Sequence, residues 1–230
     1  MKHAKRHPLI FGTMILTATG LITRVIGFFY RIYLSRLFGE EGMGIYQLLS
    51  PALSLSFSLT AAGYQTAISK YVAADSAKRP SGNLKPLLAG ISITLPLSLV
   101  TNAILFFSAD PIGIFLLKDH RTVPMLRILS FSVPFAALHA CINGYFYGKK
   151  KASVPALTQL LEQLARVSCV FLVTGADLAE GRTPSINAAV LGLTVGEIFS
   201  MLIALVCLYI HLYPDNRILS LPNICPSVPV

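Results

Sequence analysis

Six long apolar stretches run through this sequence, and their length limits the folds open to the chain. The hydrocarbon core of a bilayer is about 30 Å thick, which a helix of about 20 residues can cross. Short connections rich in glycine, proline and charged residues separate the stretches. The predicted spans are residues 9–37, 45–69, 86–108, 123–147, 155–175 and 187–212. We therefore predict an all-α membrane protein with six transmembrane helices between a tail at 1–8 and a tail at 213–230.

The composition argues against a soluble protein that binds nucleic acid. Apolar residues make up 54% of the chain and charged residues only 13%, against about 25% charged in an average soluble domain. The net charge of +9 comes from lysines and arginines that lie mostly in the short connections. This distribution is typical of membrane topology rather than of DNA or RNA contact. The expected surroundings are membrane lipid, and no nucleic acid partner is predicted.

The same charges predict the orientation of the spans. Eleven lysines and arginines fall in the two tails and the even-numbered connections, against three in the odd-numbered connections. Cytoplasmic segments carry the excess of positive charge, so both termini are expected in the cytoplasm of a multi-pass protein of the bacterial cell membrane. The basic-then-apolar start resembles a signal peptide but has no clear cleavage site, so we interpret it as the uncleaved first span.

No pattern in the chain predicts catalysis or a resident cofactor. The aspartates are scattered over different connections, and there is no glycine-rich phosphate loop, no His/Cys metal cluster and no Ser-His-Asp candidate. The four cysteines show no Cys-x-x-Cys spacing and are interpreted as small buried apolar residues. We predict that the protein is not an enzyme and needs no cofactor or metal.

The first span carries a polar face that a lipid-facing helix would not tolerate. Residues spaced alternately four and three apart lie on one side of a helix. That face is formed by Thr13, Thr17, Gly20, Arg24, Gly27 and Arg31. An arginine in the middle of a bilayer costs at least about 3 kcal/mol, so it faces water or a partner. Arg24 and Arg31 are expected about 10 Å apart along the helix, in a wet cavity that attracts negative charge.

Polar residues also mark the other spans. Gln47 belongs to a small polar stripe on the second span, and Asn143 to one on the fourth. The remaining candidates for an ion pair or for coupling are His139, Glu162, Arg166 and Glu197. Glu162 either pairs with Arg166 four residues on or, like Glu197, serves as the counter-charge to Arg24 or Arg31. His139 is interpreted as a hydrogen-bonded interior histidine, with a proton relay as the alternative.

One segment resembles a known family. The residues "TRVIGFFYRIYLSRLFGEEGMGIYQL", then Pro51 and "TAAGYQTAISKYVA", are similar to the opening of the stage V sporulation protein B family. That family belongs to the multidrug/oligosaccharidyl-lipid/polysaccharide (MOP) exporter superfamily. Arg24 matches an arginine that related lipid II flippases need. Where those proteins carry a further arginine and then an acid, this chain has Tyr30 and Arg31, and their acid near the start of the second helix has no counterpart.

The resemblance implies a two-lobed transporter working by alternating access, of which this chain would be the N-terminal six-helix lobe. The implied activity is flipping of a polyprenyl-phosphate-linked glycan for cell-wall or polysaccharide synthesis, including spore cortex. Arg24 and Arg31 would bind the phosphate, with Gln47 and Asn143 also in the substrate site. The family is about twice this length, so the tail is expected to be truncated or frameshifted and the second lobe missing. The alternatives are a multidrug cation antiporter and a non-transporting fragment.

Overall fold

The structure is a computed structural model that describes residues 8–78 and 84–212. Helices account for nearly all of these residues, and the described part of the chain contains no strand. The long elements are α1 (Pro8–Leu48), α2 (Ser50–Phe57, a π-helical turn Ser58–Ala62, then Gly63–Lys78), α3 (Lys85–Phe107), α4 (Thr122–Gly148), α5 (Ser153–Ala179) and α6 (Asn187–Leu212). Two short helical pieces, Ala109–Pro111 and Ile112–Leu116, lie between α3 and α4.

The helices have the length and surface of a membrane protein. Within the described residues, five stretches are long and apolar enough to cross a bilayer, and the first of them, Gly12–Ser76, includes the first two predicted spans. Large apolar side chains such as Leu172 and Phe107 are exposed on the outside of the bundle, as expected for a surface in contact with lipid. The chain is an all-α membrane protein. The limits of each span within the bilayer stay a prediction, and the tail at 213–230 lies outside the described residues.

The first predicted connection, "GEEG", begins at a sharp break in α1. Two helical segments meet at Gly39, where φ is +69° and ψ is −174°. Glycine tolerates this conformation because it has no Cβ atom to clash with the backbone. Beyond the break, Met43 joins Tyr30 and Leu34 in one buried apolar cluster. The break therefore turns the end of α1 back towards the residues that precede it.

Helix α4 is the centre of the bundle and packs against α2, α3 and α6. Its side chains are buried along most of its length. Two glycines bring α2 close: a Cβ on Gly144 would lie 2.6 Å from the carbonyl oxygen of Gln65, and one on Gly148 would lie 2.7 Å from that of Ser69. Small residues at such contacts are the usual means by which membrane helices approach each other.

Helix α5 lies between α6 on one side and α1 on the other. Glycines of α6 again allow the close approach. A Cβ on Gly196 would stand 3.1 Å from the carbonyl oxygen of Glu162, and one on Gly192 would meet the side chain of Val170. On the opposite side, α1 meets α5 where a Cβ on Gly27 would lie 3.5 Å from Gln163 Nε2. Polar side chains of α5 can therefore face either α6 or α1.

The end of the bundle that carries the odd-numbered connections is rich in paired charges. The side chain of Arg121 bonds Glu41 at 2.6 Å, and Arg127 bonds Asp110 at 2.6 Å. Arg121 also donates hydrogen bonds to Asp119, both from its backbone N–H and from its side chain. These bonds, the backbone one most, lower the pKa of the Asp119 carboxyl group. Because these pairs are exposed, each contributes little to stability. Their main consequence is that Arg121 and Arg127 at this end are neutralised.

The close contact at Gly144 gives a stability test. Gly144→Ala places a methyl group against the backbone of α2, which cannot yield as a flexible side chain would, and we expect a loss of about 1–3 kcal/mol. Gly175→Ala in α5 is the matched control, because nothing lies within 4 Å of its would-be Cβ. Thermal unfolding of both variants in detergent measures the difference. Equal unfolding temperatures for the two variants would contradict this packing.

Candidate functional site

A cavity of about 400 Å³ opens between α1 and α5. Polar and apolar side chains share its wall. The lining residues are Thr23, Arg24, Gly27, Phe28, Tyr30, Arg31, Leu34, Met43, Tyr46, Gln163 and Arg166. The described residues enclose the cavity only partly.

Helix α1 contributes two guanidinium groups to this cavity. Arg24 and Arg31 lie seven residues apart on the predicted polar face, with Gly27 between them at the contact with α5. Both side chains are exposed. Among the described residues, neither has a hydrogen bond or an ion pair. Two uncompensated positive charges in one wall make the cavity attractive to an anion.

Helix α5 contributes a third guanidinium group, Arg166, from the opposite wall. Its side chain is 21% exposed and donates one hydrogen bond of 2.6 Å to Glu162, one turn earlier. Its Nε–H is buried and has no acceptor. The sequence placed Arg166 in a local ion pair, and the structure has that pair. The spacing within α5 alone gave no sign that the same group would also face Arg24 and Arg31.

Tyr30 is a further donor that the sequence analysis did not single out. Its side chain is only 8% exposed, and its hydroxyl group is buried without a hydrogen-bond partner. A buried phenol normally finds a partner, because leaving a donor unsatisfied costs about 1–3 kcal/mol. In this cavity the free O–H and the free Nε–H of Arg166 are both donors.

Behind Arg166, away from the cavity, lies a network of buried polar side chains contributed by α4, α5 and α6. The Nδ1 atom of His139 is 3.6 Å from Glu197. The amide nitrogen of Asn143 lies 2.8 Å from His139 Nε2, and the hydroxyl of Ser200 lies 2.9 Å from the same atom. One ligating atom from each of His139, Glu162 and Glu197 can be chosen so that all lie within 4.8 Å of one another. We assign no metal here, because the guanidinium of Arg166 already neutralises Glu162.

The structure thus separates the eight predicted site residues into three locations. Arg24, Arg31 and Arg166 line the cavity. Asn143 lies in the buried network with His139, Glu162 and Glu197, where its amide oxygen is 3.4 Å from the hydroxyl of Thr158. Gln47 is exposed on α1, next to Tyr46, and is not among the lining residues. Substrate binding by Gln47 and Asn143 stays a prediction.

Comparison with known proteins gives a consistent set of relatives. The chain matches the family described as polysaccharide biosynthesis protein over residues 9–229. All three of the following relatives are from Bacillus subtilis (strain 168). Stage V sporulation protein B is 36% identical over 197 residues, which are 85% of this chain and 38% of that protein. The uncharacterized membrane protein YabM is 26% identical over 213 residues, which are 93% of this chain and 39% of that protein. The lipid II flippase MurJ is 27% identical over 179 residues, which are 74% of this chain and 32% of that protein.

The chain covers less than half the length of each of these relatives. None of the solved structures matches it.

The cavity can be tested by labelling introduced cysteines. In a variant lacking the four natural cysteines, Arg24→Cys and Arg31→Cys should react with a charged, water-soluble thiol reagent, because reaction needs the thiolate and therefore water. Leu172→Cys and Leu34→Cys are the controls: the first side chain is 75% exposed on the lipid-facing side of α5, and the second is 1% exposed in the bundle. We expect labelling at 24 and 31 to be about tenfold faster or more. Rates at 24 and 31 as slow as at 172 would mean that no water-filled cavity exists.

Proposed function

Because this chain belongs to the polysaccharide biosynthesis protein family, a family of flippases and polysaccharide transporters, we propose that it is the N-terminal lobe of a flippase for a lipid-linked oligosaccharide. The substrate would be a polyprenyl-phosphate-linked glycan, and the process would be cell-wall or polysaccharide synthesis. The relative named stage V sporulation protein B supports a place in spore cortex formation, and the relative named lipid II flippase supports a lipid-linked substrate.

The observation that carries this proposal is the cluster of unsatisfied donors in the cavity. Arg24 and Arg31 are uncompensated, and Arg166 and Tyr30 each keep a buried donor without an acceptor. A phosphate or pyrophosphate group offers several acceptor oxygens with negative charge, and guanidinium groups bind such oxygens in pairs. These residues would hold the phosphate part of the substrate from two sides of the cavity.

The surroundings of the cavity suggest where the rest of the substrate would lie. Large apolar side chains such as Phe28 and Phe29 are exposed on α1 beside the arginines, and they offer a surface for a polyprenyl chain that stays in lipid. The open side of the cavity would accommodate the glycan in water. In this proposal a second lobe, comparable to the part of the relatives that the chain does not cover, closes that open side.

The distribution of charge supports the proposed orientation in the membrane. Lys149, Lys150 and Lys151 lie in the connection between α4 and α5 at one end of the bundle. At the other end, arginines such as Arg121 and Arg127 are paired with carboxylates. None of these three lysines pairs with a carboxylate among the described residues, so their end would face the cytoplasm under the positive-inside rule, with both termini on that side.

A multidrug cation antiporter of the same superfamily is the rival function, and the cavity argues against it. Three guanidinium groups line the space, and they would repel a cationic drug that entered it. The acids closest to the cavity give no compensation, since Glu162 is already bonded to Arg166.

Removal of each cavity arginine tests the phosphate site. We expect Arg24→Ala and Arg31→Ala each to weaken the binding of an isoprenoid pyrophosphate by about tenfold or more, because a hydrogen bond to a charged group contributes about 1.5–3 kcal/mol. Arg36→Ala is the matched control, since Arg36 is an exposed arginine of the same helix that does not line the cavity. Affinity is measured with purified protein in lipid nanodiscs. The proposal fails if both cavity variants bind as tightly as the Arg36 variant.

A further inference from the structure

Four ionisable side chains meet in the interior of the bundle, from three helices. We call them the buried charge cluster: His139 on α4, Glu162 and Arg166 on α5, and Glu197 on α6. Arg166 lies 2.6 Å from Glu162, and His139 lies 3.6 Å from Glu197. The side chains of Glu162, Glu197 and Arg166 are 17%, 19% and 21% exposed, and that of His139 is 11% exposed. Bulk water therefore does little to screen the charges of this group.

The charges of the cluster do not balance. Two carboxylates and one guanidinium leave one negative charge in excess if the imidazole is neutral. An isolated charge inside a bilayer is costly and normally acquires a partner or a proton. Among the described residues, neither Glu162 nor Glu197 forms an ion pair with Arg24 or Arg31. The cluster is therefore neutral only when it holds one additional positive charge.

The side chains around His139 link its ring to the carboxylates. The Asn143 amide nitrogen, which can only donate, and the Ser200 hydroxyl lie 2.8 Å and 2.9 Å from His139 Nε2. Nε2 is then an acceptor, so the neutral ring carries its hydrogen on Nδ1. Nδ1 faces Glu197. The ring can then donate to Glu197, and the carboxyl groups of Glu162 and Glu197 are the remaining acceptors for an extra proton.

Arg166 is shared between the cluster and the cavity. Its Nη2 atom bonds Glu162, while its Nε–H is free and the side chain lines the cavity with Arg24 and Arg31. An anion bound in the cavity would attract the guanidinium of Arg166 and weaken its interaction with Glu162. Glu162 would then lose part of its compensation and would hold a proton more tightly. The reverse follows by linkage: a proton on the carboxyl pair releases Arg166 for the anion.

In the part of the chain that the structure describes, no other group beside Arg166 would account for this proton. On α1, Arg31, Tyr30 and Tyr46 face it. On α5 the further titratable neighbour is Cys169, which lies near Tyr30. Guanidinium groups stay charged, and phenols and thiols ordinarily stay neutral, between about pH 5 and about pH 8. On α4 and α6, the titratable groups facing the cluster among the described residues are His139 and Glu197 themselves.

We propose that the carboxyl pair Glu162–Glu197 is a binding site for one exchangeable proton, and that Arg166 couples its occupancy to that of the anion cavity. The anion half of this inference rests on the proposed function. A metal cation is the weaker candidate for the site, because the ring nitrogen Nε2 is already occupied by Asn143 and a guanidinium lies against Glu162. Binding of the anion would therefore be accompanied by proton uptake.

The test uses methanedisulfonate, which carries two linked anionic centres like a pyrophosphate but does not itself take up protons near neutral pH. The ligand is added to the purified 230-residue chain in nanodiscs, in weak buffer with a pH-sensitive dye. We expect uptake of about one proton for each ligand bound, and an affinity that rises by up to about tenfold for each unit of falling pH. Glu162→Gln and Glu197→Gln should remove most of the uptake and flatten the pH dependence. Glu180→Gln, at an exposed acid of the α5–α6 connection, is the control and should change neither.

The outcomes separate the two proposals. Binding to the wild-type chain that is equally strong from about pH 5 to about pH 8, without proton uptake, overturns the coupling and leaves the anion cavity standing. No binding at any pH overturns the proposed function and this inference with it. Binding that depends on Na⁺ instead of pH overturns the assignment of a proton. Because the wild-type measurement decides each case, the proposal can be overturned even if a Gln variant unfolds.

Discussion

The ion pair between Glu162 and Arg166 lies at the boundary between two regions with opposite electrostatic requirements. On one side is the cavity, where Arg24 and Arg31 have no counter-charge among the described residues. On the other side is the buried charge cluster, where Glu162 and Glu197 outnumber their cations. Inside a bilayer each region is costly alone, because charges there need partners or water. Arg166 reduces the excess of negative charge in the cluster, and it also places a third guanidinium group at the cavity.

The packing of the helices follows from the same requirement. Two carboxylates from different helices come close only if the helix backbones are close. A glycine on α6 allows this: Gly196, which directly precedes Glu197, packs on the carbonyl oxygen of Glu162. Gly27 of α1 instead meets α5 through the side chain of Gln163, beside Arg24 and Arg31. Membrane helices gain little from apolar contact with each other, since lipid is equally apolar. The small residues therefore stabilise the bundle and also set the distances between charged groups.

The sequence predicted the elements of this site whose geometry is local. The alternating spacing of four and three residues places Arg24 and Arg31 on one face, and the spacing of four predicts the Glu162–Arg166 pair. Long-range relations could not be read in this way. The approach of Tyr30 to Arg166, the position of Glu197 beside His139 and the placement of Asn143 in the interior depend on how helices rotate against each other. Glycine and charge in "GEEG" predicted an interruption between two spans, and the structure has it at a single residue, Gly39, with helix on both sides.

In the proposed transport cycle, the division between fixed and adjustable charge has a consequence for release. A cavity lined only by Arg24 and Arg31 would attract a phosphate permanently, because guanidinium groups do not lose their protons in proteins. Transport requires that binding weaken at some stage, and the weakening must come from a group whose charge can change. Arg166 has such a group next to it: when the carboxyl pair is ionised, Glu162 competes with the substrate for the same guanidinium. The affinity of the cavity for the substrate is then set by the carboxyl pair of Glu162 and Glu197, which does not touch the substrate.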